Sequence, residues 1–207
     1  MKHKIKLKKE TYLKSPFFIN YFITDPIMYN GDDDKIEQFK KNLKYSLDNY
    51  NIDIICFRDK ENEDTTKLAK IFLEISKKYK ISKILINTDI EKAITLGFDG
   101  VHLTSNQFKN IKNAKKNNLY TIISCHTKNE IILAKNNNID AITYSPIFFK
   151  ENKGKPKGIK ELSNIVSKYQ TDKFKIIGLG GIVSQNEVLK IKKSKAYGFA
   201  SIRYFLK

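Results

Sequence analysis

Tyr120-Thr121-Ile122-Ile123-Ser124-Cys125-His126-Thr127-Lys128-Asn129-Glu130 joins two kinds of order in one short stretch. Its first half is apolar and β-branched, and reads as a buried strand. Its second half holds Thr127-x-x-Glu130, a capping box. There the threonine hydroxyl and the glutamate carboxylate each satisfy a backbone N–H that a helix entry leaves unpaired. A strand running almost directly into a capped helix is the repeating unit of a parallel α/β fold. The same junction recurs at Thr88-x-x-Glu91 and at Ser184-x-x-Glu187, each close behind another apolar run.

Working outward in both directions, strand-like runs fall at 20–24, 53–57, 83–87, 100–103, 120–124, 141–145, 175–179 and 198–202. Between them lie segments with apolar residues at helical spacing. Ile36, Phe39, Leu43 and Leu47 share one face, as do Leu68, Ile71, Phe72, Ile75 and Tyr79, and then Ile159, Leu162, Ile165, Val166 and Tyr169. Strict alternation implies parallel strands joined by right-handed crossovers. Eight units predict a single-domain (β/α)8 TIM barrel, the alternative being an open doubly wound sheet. The chain has 207 residues, near the lower end for this barrel. Only 203–207 follow the eighth strand, so the last helix is truncated. Residues 1–18 read as an N-terminal extension and 19–207 as the barrel. Cover for the exposed side falls to the extension or to a second copy in a homodimer.

Composition narrows the function. Hydrophobic residues make up 41% and charged residues 29%, as in a folded globular chain. No apolar run approaches the roughly 20 residues that span a bilayer, and the basic N-terminus lacks the apolar stretch of a secretory signal. The cytoplasm is the expected location, with no membrane partner. Two cysteines, Cys56 and Cys125, supply neither a disulfide framework nor a zinc site. Lys+Arg exceed Asp+Glu by 39 to 22, a net charge of +17, which raises nucleic acid as a partner. The lysines are scattered, however, and Lys40, Lys41, Lys77, Lys78, Lys115 and Lys116 fall where helices should face water. Charge alone specifies no site, and no nucleic-acid partner is expected.

In a barrel of this kind the chemistry belongs to the loops after the strands. Gly178-Leu179-Gly180-Gly181-Ile182 lets backbone approach a phosphate, in the late position where phosphates dock. The competing account is a tight turn with no ligand. His126 stands at the end of the fifth strand, where an imidazole can move a proton near neutral pH; a hydrogen-bonded structural histidine is the other reading. Cys125 beside it is expected to pack rather than attack. Residues 146–158 form a long basic loop suited to a lid or anion clamp, and Arg58 and Lys60 add cations after strand two. His102 alternates with Val101 and Leu103 and reads as a packed strand histidine. No carboxylate pair with a histidine marks a metal site, and no metal is expected.

Several motifs, in order, resemble the thiamine phosphate synthase/TenI family. They are 21–25 (Tyr-Phe-Ile-Thr-Asp), Arg58-Asp59-Lys60, Leu85-Ile86-Asn87, 97–103 (Gly-Phe-Asp-Gly-Val-His-Leu), Ser124-Cys125-His126-Thr127, Ser145-Pro146-Ile147-Phe148 through Lys153, and the 178–182 turn. The resemblance implies a (β/α)8 barrel serving the thiazole branch of thiamine biosynthesis. It also implies a small phosphorylated thiazole substrate, with Ser124, Asn87, Arg58, Lys60, Lys153, Gly178, Gly180, Gly181, Ala200 and Ser201 around it. The synthase branch joins a pyrimidine pyrophosphate to thiazole phosphate with Mg2+. Its pattern wants a glutamine where Cys56 stands, an aspartate where Thr88 stands, and an acid near Asn106-Gln107. Lys150 and Asn152 replace the expected threonines. The TenI branch isomerises a carboxylated thiazole phosphate without pyrophosphate departure, and the resemblance assigns His126 as its catalytic histidine. The expectation is therefore a TenI-like thiazole tautomerase with no cofactor. The alternatives are a divergent synthase, which alone would need Mg2+, and a non-catalytic binder of thiazole or thiamine phosphates.

Overall fold

The eight apolar runs close on one another. In the computed structural model, which describes residues 18–29, 34–61, 65–151 and 154–206, they form one parallel barrel in sequence order. The strands are β1 (Ile19–Ile23), β2 (Ile54–Phe57), β3 (Lys83–Asn87), β4 (Gly100–Leu103), β5 (Tyr120–Cys125), β6 (Ala141–Tyr144), β7 (Lys175–Leu179) and β8 (Gly198–Ser201). Closure comes from β1 pairing with β8, Tyr21 opposite Ala200. Helices α1 (Lys35–Asn49), α2 (Thr66–Ser76), α3 (Ile90–Leu96), α4 (Ile111–Lys116), α5 (Lys128–Asn136), α6 (Gly158–Tyr169) and α7 (Gln185–Lys193) follow β1 through β7.

Alternation along each strand divides the core in two. Tyr21, Ile54, Cys56, Leu85, Ile122, Ile177 and Ala200 fill the barrel interior. Phe22, Ile55, Ile86, Val101, Ile123, Ile142 and Phe199 face the helices, where the predicted apolar stripes meet them. Strands buried on both faces explain why the sequence runs are continuous rather than alternating. Lys115 departs from its expected place in water: it is half-buried and its Nζ lies 2.8 Å from Asp140 Oδ2.

Two of the three capping boxes form as expected. Glu130 N–H donates to Thr127 Oγ1 at 3.2 Å and Thr127 N–H to Glu130 Oε2 at 2.8 Å, and Ser184 and Glu187 make the equivalent reciprocal pair. Ser184→Ala should cost about 1 kcal/mol, seen as a melting temperature roughly 2–4 °C lower in a thermal melt. The third box is corrected. Thr88 has φ +67° and its hydroxyl donates to Asn87 O, so it cannot cap. Asp89, one residue on, accepts from Lys92 N–H at 2.8 Å and caps α3 instead.

After β8 the chain makes only a short 3-10 turn, Arg203–Phe205. The fully buried Phe205 ring lies 5.2 Å from Phe22, 5.5 Å from Tyr50 and 5.6 Å from Phe199, and Ser46 Oγ donates to Phe205 O. Phe18 stacks on Phe199 at 6.1 Å. Aromatic side chains thus cover the outer faces of β8 and β1. The rest of the expected N-terminal cover, 1–17, lies outside the described residues.

Candidate active site

The loops after β1, β6, β7 and β8 enclose a pocket of about 250 Å3 at the C-terminal mouth of the barrel. Its floor is the glycine turn. Gly180 and Gly181 have φ of +99° and +71°, which favours glycine. A Cβ on Gly181 would come within 2.6 Å of Phe149 O, and one on Gly180 within 2.9 Å of Pro146 Cα. Both therefore let the loop after β6 lie directly on the turn, fastened by Ile147 N–H to Leu179 O at 2.9 Å and Phe148 N–H to Gly180 O at 3.0 Å. Ser201 braces the other side, donating its hydroxyl to Ile182 O at 2.8 Å.

Gly180, Gly181 and Ser201 line this pocket together. Gly178 and Ala200 do not. Gly178 points outward, where a Cβ would meet Ile191 and Leu162, and Ala200 is packed in the barrel interior. Lys153 lies outside the described residues. The lining contains three charged residues that the glycine pattern did not single out: Asp25, Lys150 and Arg203. Asp25 ends the 21–25 motif and Lys150 belongs to the basic loop after β6, whereas the only signal for Arg203 is its position just beyond a strand end.

Asp25 brings in Arg58. The two form an ion pair through Arg58 Nη1, and Arg58 N–H donates to Thr24 Oγ1 at 2.8 Å. The motif at 21–25 thus has a physical role: Thr24 and Asp25 hold Arg58 by backbone and side chain, while Tyr21 reaches inward. Tyr21 Oη lies 2.8 Å from His102 Nδ1, and His102 Nε2 lies 3.0 Å from Ser124 Oγ and 3.3 Å from Thr143 Oγ1. Asn87 Nδ2 donates to His102 O at 2.9 Å. Ser124 and Asn87 are accordingly tied to the interior around His102 rather than to the pocket lining, and exposed Lys60 also lies beyond that lining.

His102 is the packed histidine its alternation suggested, completely surrounded by protein. Burial, aided by the Arg58 charge, pushes its pKa down to about 3. The unfolded chain takes up a proton near pH 6.5 that the folded chain refuses until about pH 3. Stability therefore falls as pH drops through that window, by about 1.4 kcal/mol per unit from this group. Denaturant melts at pH 6 and pH 5 should show that slope, and His102→Asn should flatten it. Cys56 is buried in the interior, with burial raising its thiol pKa to about 12. Cys125 faces the helical layer and is also held protonated by burial. Neither is placed as a nucleophile.

His126 is half-buried at the mouth. Its Nδ1 lies 3.1 Å from Ser145 O and 3.2 Å from Ser145 Oγ. A carbonyl only accepts, so Nδ1 carries a proton, and in the neutral form of the ring the lone pair is then on Nε2. The neighbouring backbone is pinned, with His126 N–H donating to Glu130 Oε2 at 2.6 Å. His126 is not part of the glycine pocket, but β5 and β7 are separated only by β6, roughly 10 Å at the spacing of adjacent strands.

A family model described as thiamine monophosphate synthase matches residues 20–205. The chain belongs to that family. A relative from Aquifex aeolicus, named putative thiamine-phosphate synthase 2, is 31% identical over 90% of this chain and 96% of its own. A thiamine-phosphate synthase from Bacillus cereus is 30% identical over 72% of this chain and 71% of its own. The solved thiamine phosphate pyrophosphorylase of Pyrococcus furiosus superposes with a TM-score of 0.72 over 89% of this chain and 85% of its own, at 17% identity, a likeness of fold.

Family membership brings Mg2+ into question for the synthase branch, and the residues present do not fit it. The two positions where the family pattern places acids are joined by neutral groups. Gln107 Nε2 donates to Thr88 O at 3.1 Å, while Gln107 Oε1 accepts from Thr104 N–H at 3.0 Å. Among the described residues, no group of three or more His, Cys, Asp or Glu side chains converges on a metal position. A hard divalent cation prefers oxygen ligands with carboxylate charge, and the adjoining carboxylate, Asp89, is engaged in capping α3 and pairing with Lys92.

Proposed function

We propose that this member of the family is a TenI-like tautomerase, isomerising a carboxylated thiazole phosphate by proton transfer without a metal. The observation that carries the reading is the Gln107–Thr88 bridge, which fills with a neutral amide the corner where a departing pyrophosphate would need acid-held Mg2+. An isomerisation has no leaving group and makes no such demand. It needs an anchor for the phosphate and a positioned base that becomes an acid. The glycine pocket is suited to the first task and His126 Nε2 to the second. Nε2 takes a proton from one position of the substrate and returns one at another, while the Ser145 carbonyl holds Nδ1–H throughout. Nothing else is made or broken.

With carboxythiazole phosphate as substrate, turnover should be the same within about twofold with and without chelator. A chelator that abolishes turnover would overturn the reading. The synthase reading is favoured by the names of the Aquifex and Bacillus relatives. It would require Mg2+ carried in on substrate phosphates. Mg2+-dependent formation of thiamine phosphate from the two precursors, with no isomerisation, would establish it instead.

A further inference from the structure

We infer that Arg203 is a phosphate-binding residue of the mouth pocket, so that the turn after β8 supplies part of the site. This rests on the reading of that pocket as a phosphate anchor and extends it to a side chain.

Arg203 lies two residues after β8 and lines the same pocket as Gly180 and Gly181. Its guanidinium makes no hydrogen bond or ion pair with another described residue. Arg58 differs sharply, since its charge is already taken by Asp25. Among the described residues of the lining Asp25 is the only acid, and its ion pair with Arg58 compensates it, so the Arg203 guanidinium gives the pocket a positive field. Such a field suits a dianionic phosphomonoester.

The backbone carrying Arg203 is firmly placed. Phe205, two residues on, is buried among Phe22, Tyr50 and Phe199. Tyr204 N–H donates to Ser201 Oγ at 3.2 Å, and Tyr204 Oη donates to Gln185 Oε1 at 2.7 Å. These contacts fix the turn, while the arginine side chain stays exposed at the mouth. A planar guanidinium on a rigid turn can present two parallel N–H donors to phosphate oxygens, which a lysine cannot reproduce. The 3-10 turn after β8 keeps Arg203 at the rim.

The test is calorimetric titration of the wild-type protein, Arg203→Ala and Arg203→Lys with three probes: thiazole phosphate, the same thiazole alcohol without phosphate, and inorganic phosphate. Arg203→Ala should weaken both phosphate-bearing probes by about 10- to 100-fold and leave the alcohol unchanged. Arg203→Lys should recover part of the loss. Unchanged melting temperatures would exclude a folding defect as the cause. Equal binding of thiazole phosphate by wild type and Arg203→Ala overturns the inference and leaves the tautomerase reading standing. Arg203-dependent binding of inorganic phosphate, with thiazole phosphate ignored, overturns the thiazole substrate and upholds the inference. Failure of the wild type to bind either phosphate-bearing probe overturns both.

Discussion

His126→Ala should reduce isomerisation of carboxythiazole phosphate by about 10²- to 10⁴-fold, the usual contribution of a positioned general acid–base. Affinity for the substrate should change little, because the proposed phosphate anchor, the glycine turn and the residues around it, lies at β7 and β8 and His126 is not in its lining. The expected signature is therefore a fall in kcat with KM nearly constant. Among the described residues the side chain's hydrogen bonds go only to Ser145, so its removal should leave the β5–α5 junction intact: the Thr127–Glu130 box is independent of the ring. His126→Gln offers a control, since it can keep a polar contact to Ser145 but cannot carry a proton back and forth near neutral pH. Turnover retained in both variants would remove His126 from the mechanism. Turnover retained in His126→Gln alone would reduce it to a polar contact.

The barrel was legible because the strands are buried on both faces and most are followed by an apolar stripe or a capping box. Seven helices, eight strands and two capping boxes then needed only local patterns. The misplaced third cap shows the limit of a pattern: Thr88 and Asp89 are both good capping residues, and only the positive φ of Thr88 shifts the helix start by one. The site was less legible. His126, Gly180, Gly181 and Ser201 could be singled out, whereas Asp25, Lys150 and Arg203 converge on the pocket from three separate loops. The Gln107–Thr88 bridge likewise joins loops after β3 and β4, and no spacing rule carries such a contact. Gly178 was misleading because it shares a motif with Gly180 yet faces the helices. Strand alternation from interior Ile177 accounts for that.

Phe205→Ala should cost about 3–5 kcal/mol, as for truncation of a buried phenylalanine. For a chain of this size that lowers the melting temperature by roughly 6–20 °C. The magnitude follows from what Phe205 packs against. It sits against Phe22 of β1 and Phe199 of β8, with Tyr50 and Tyr204 edge-on to its ring. Truncation opens a cavity between two strands whose pairing closes the barrel, and neighbouring rings can fill it only by abandoning their own contacts. Phe205→Leu keeps most of the volume and should recover more than half of the loss. The effect should also reach the mouth, because Phe205 is the anchor of the turn that carries Arg203. Under conditions where Phe205→Ala remains folded, its affinity for inorganic phosphate should fall with its stability. A melting temperature within 2 °C of wild type would mean that the barrel wall does not depend on this ring, and that the turn at 203–206 is an appendage rather than part of the core.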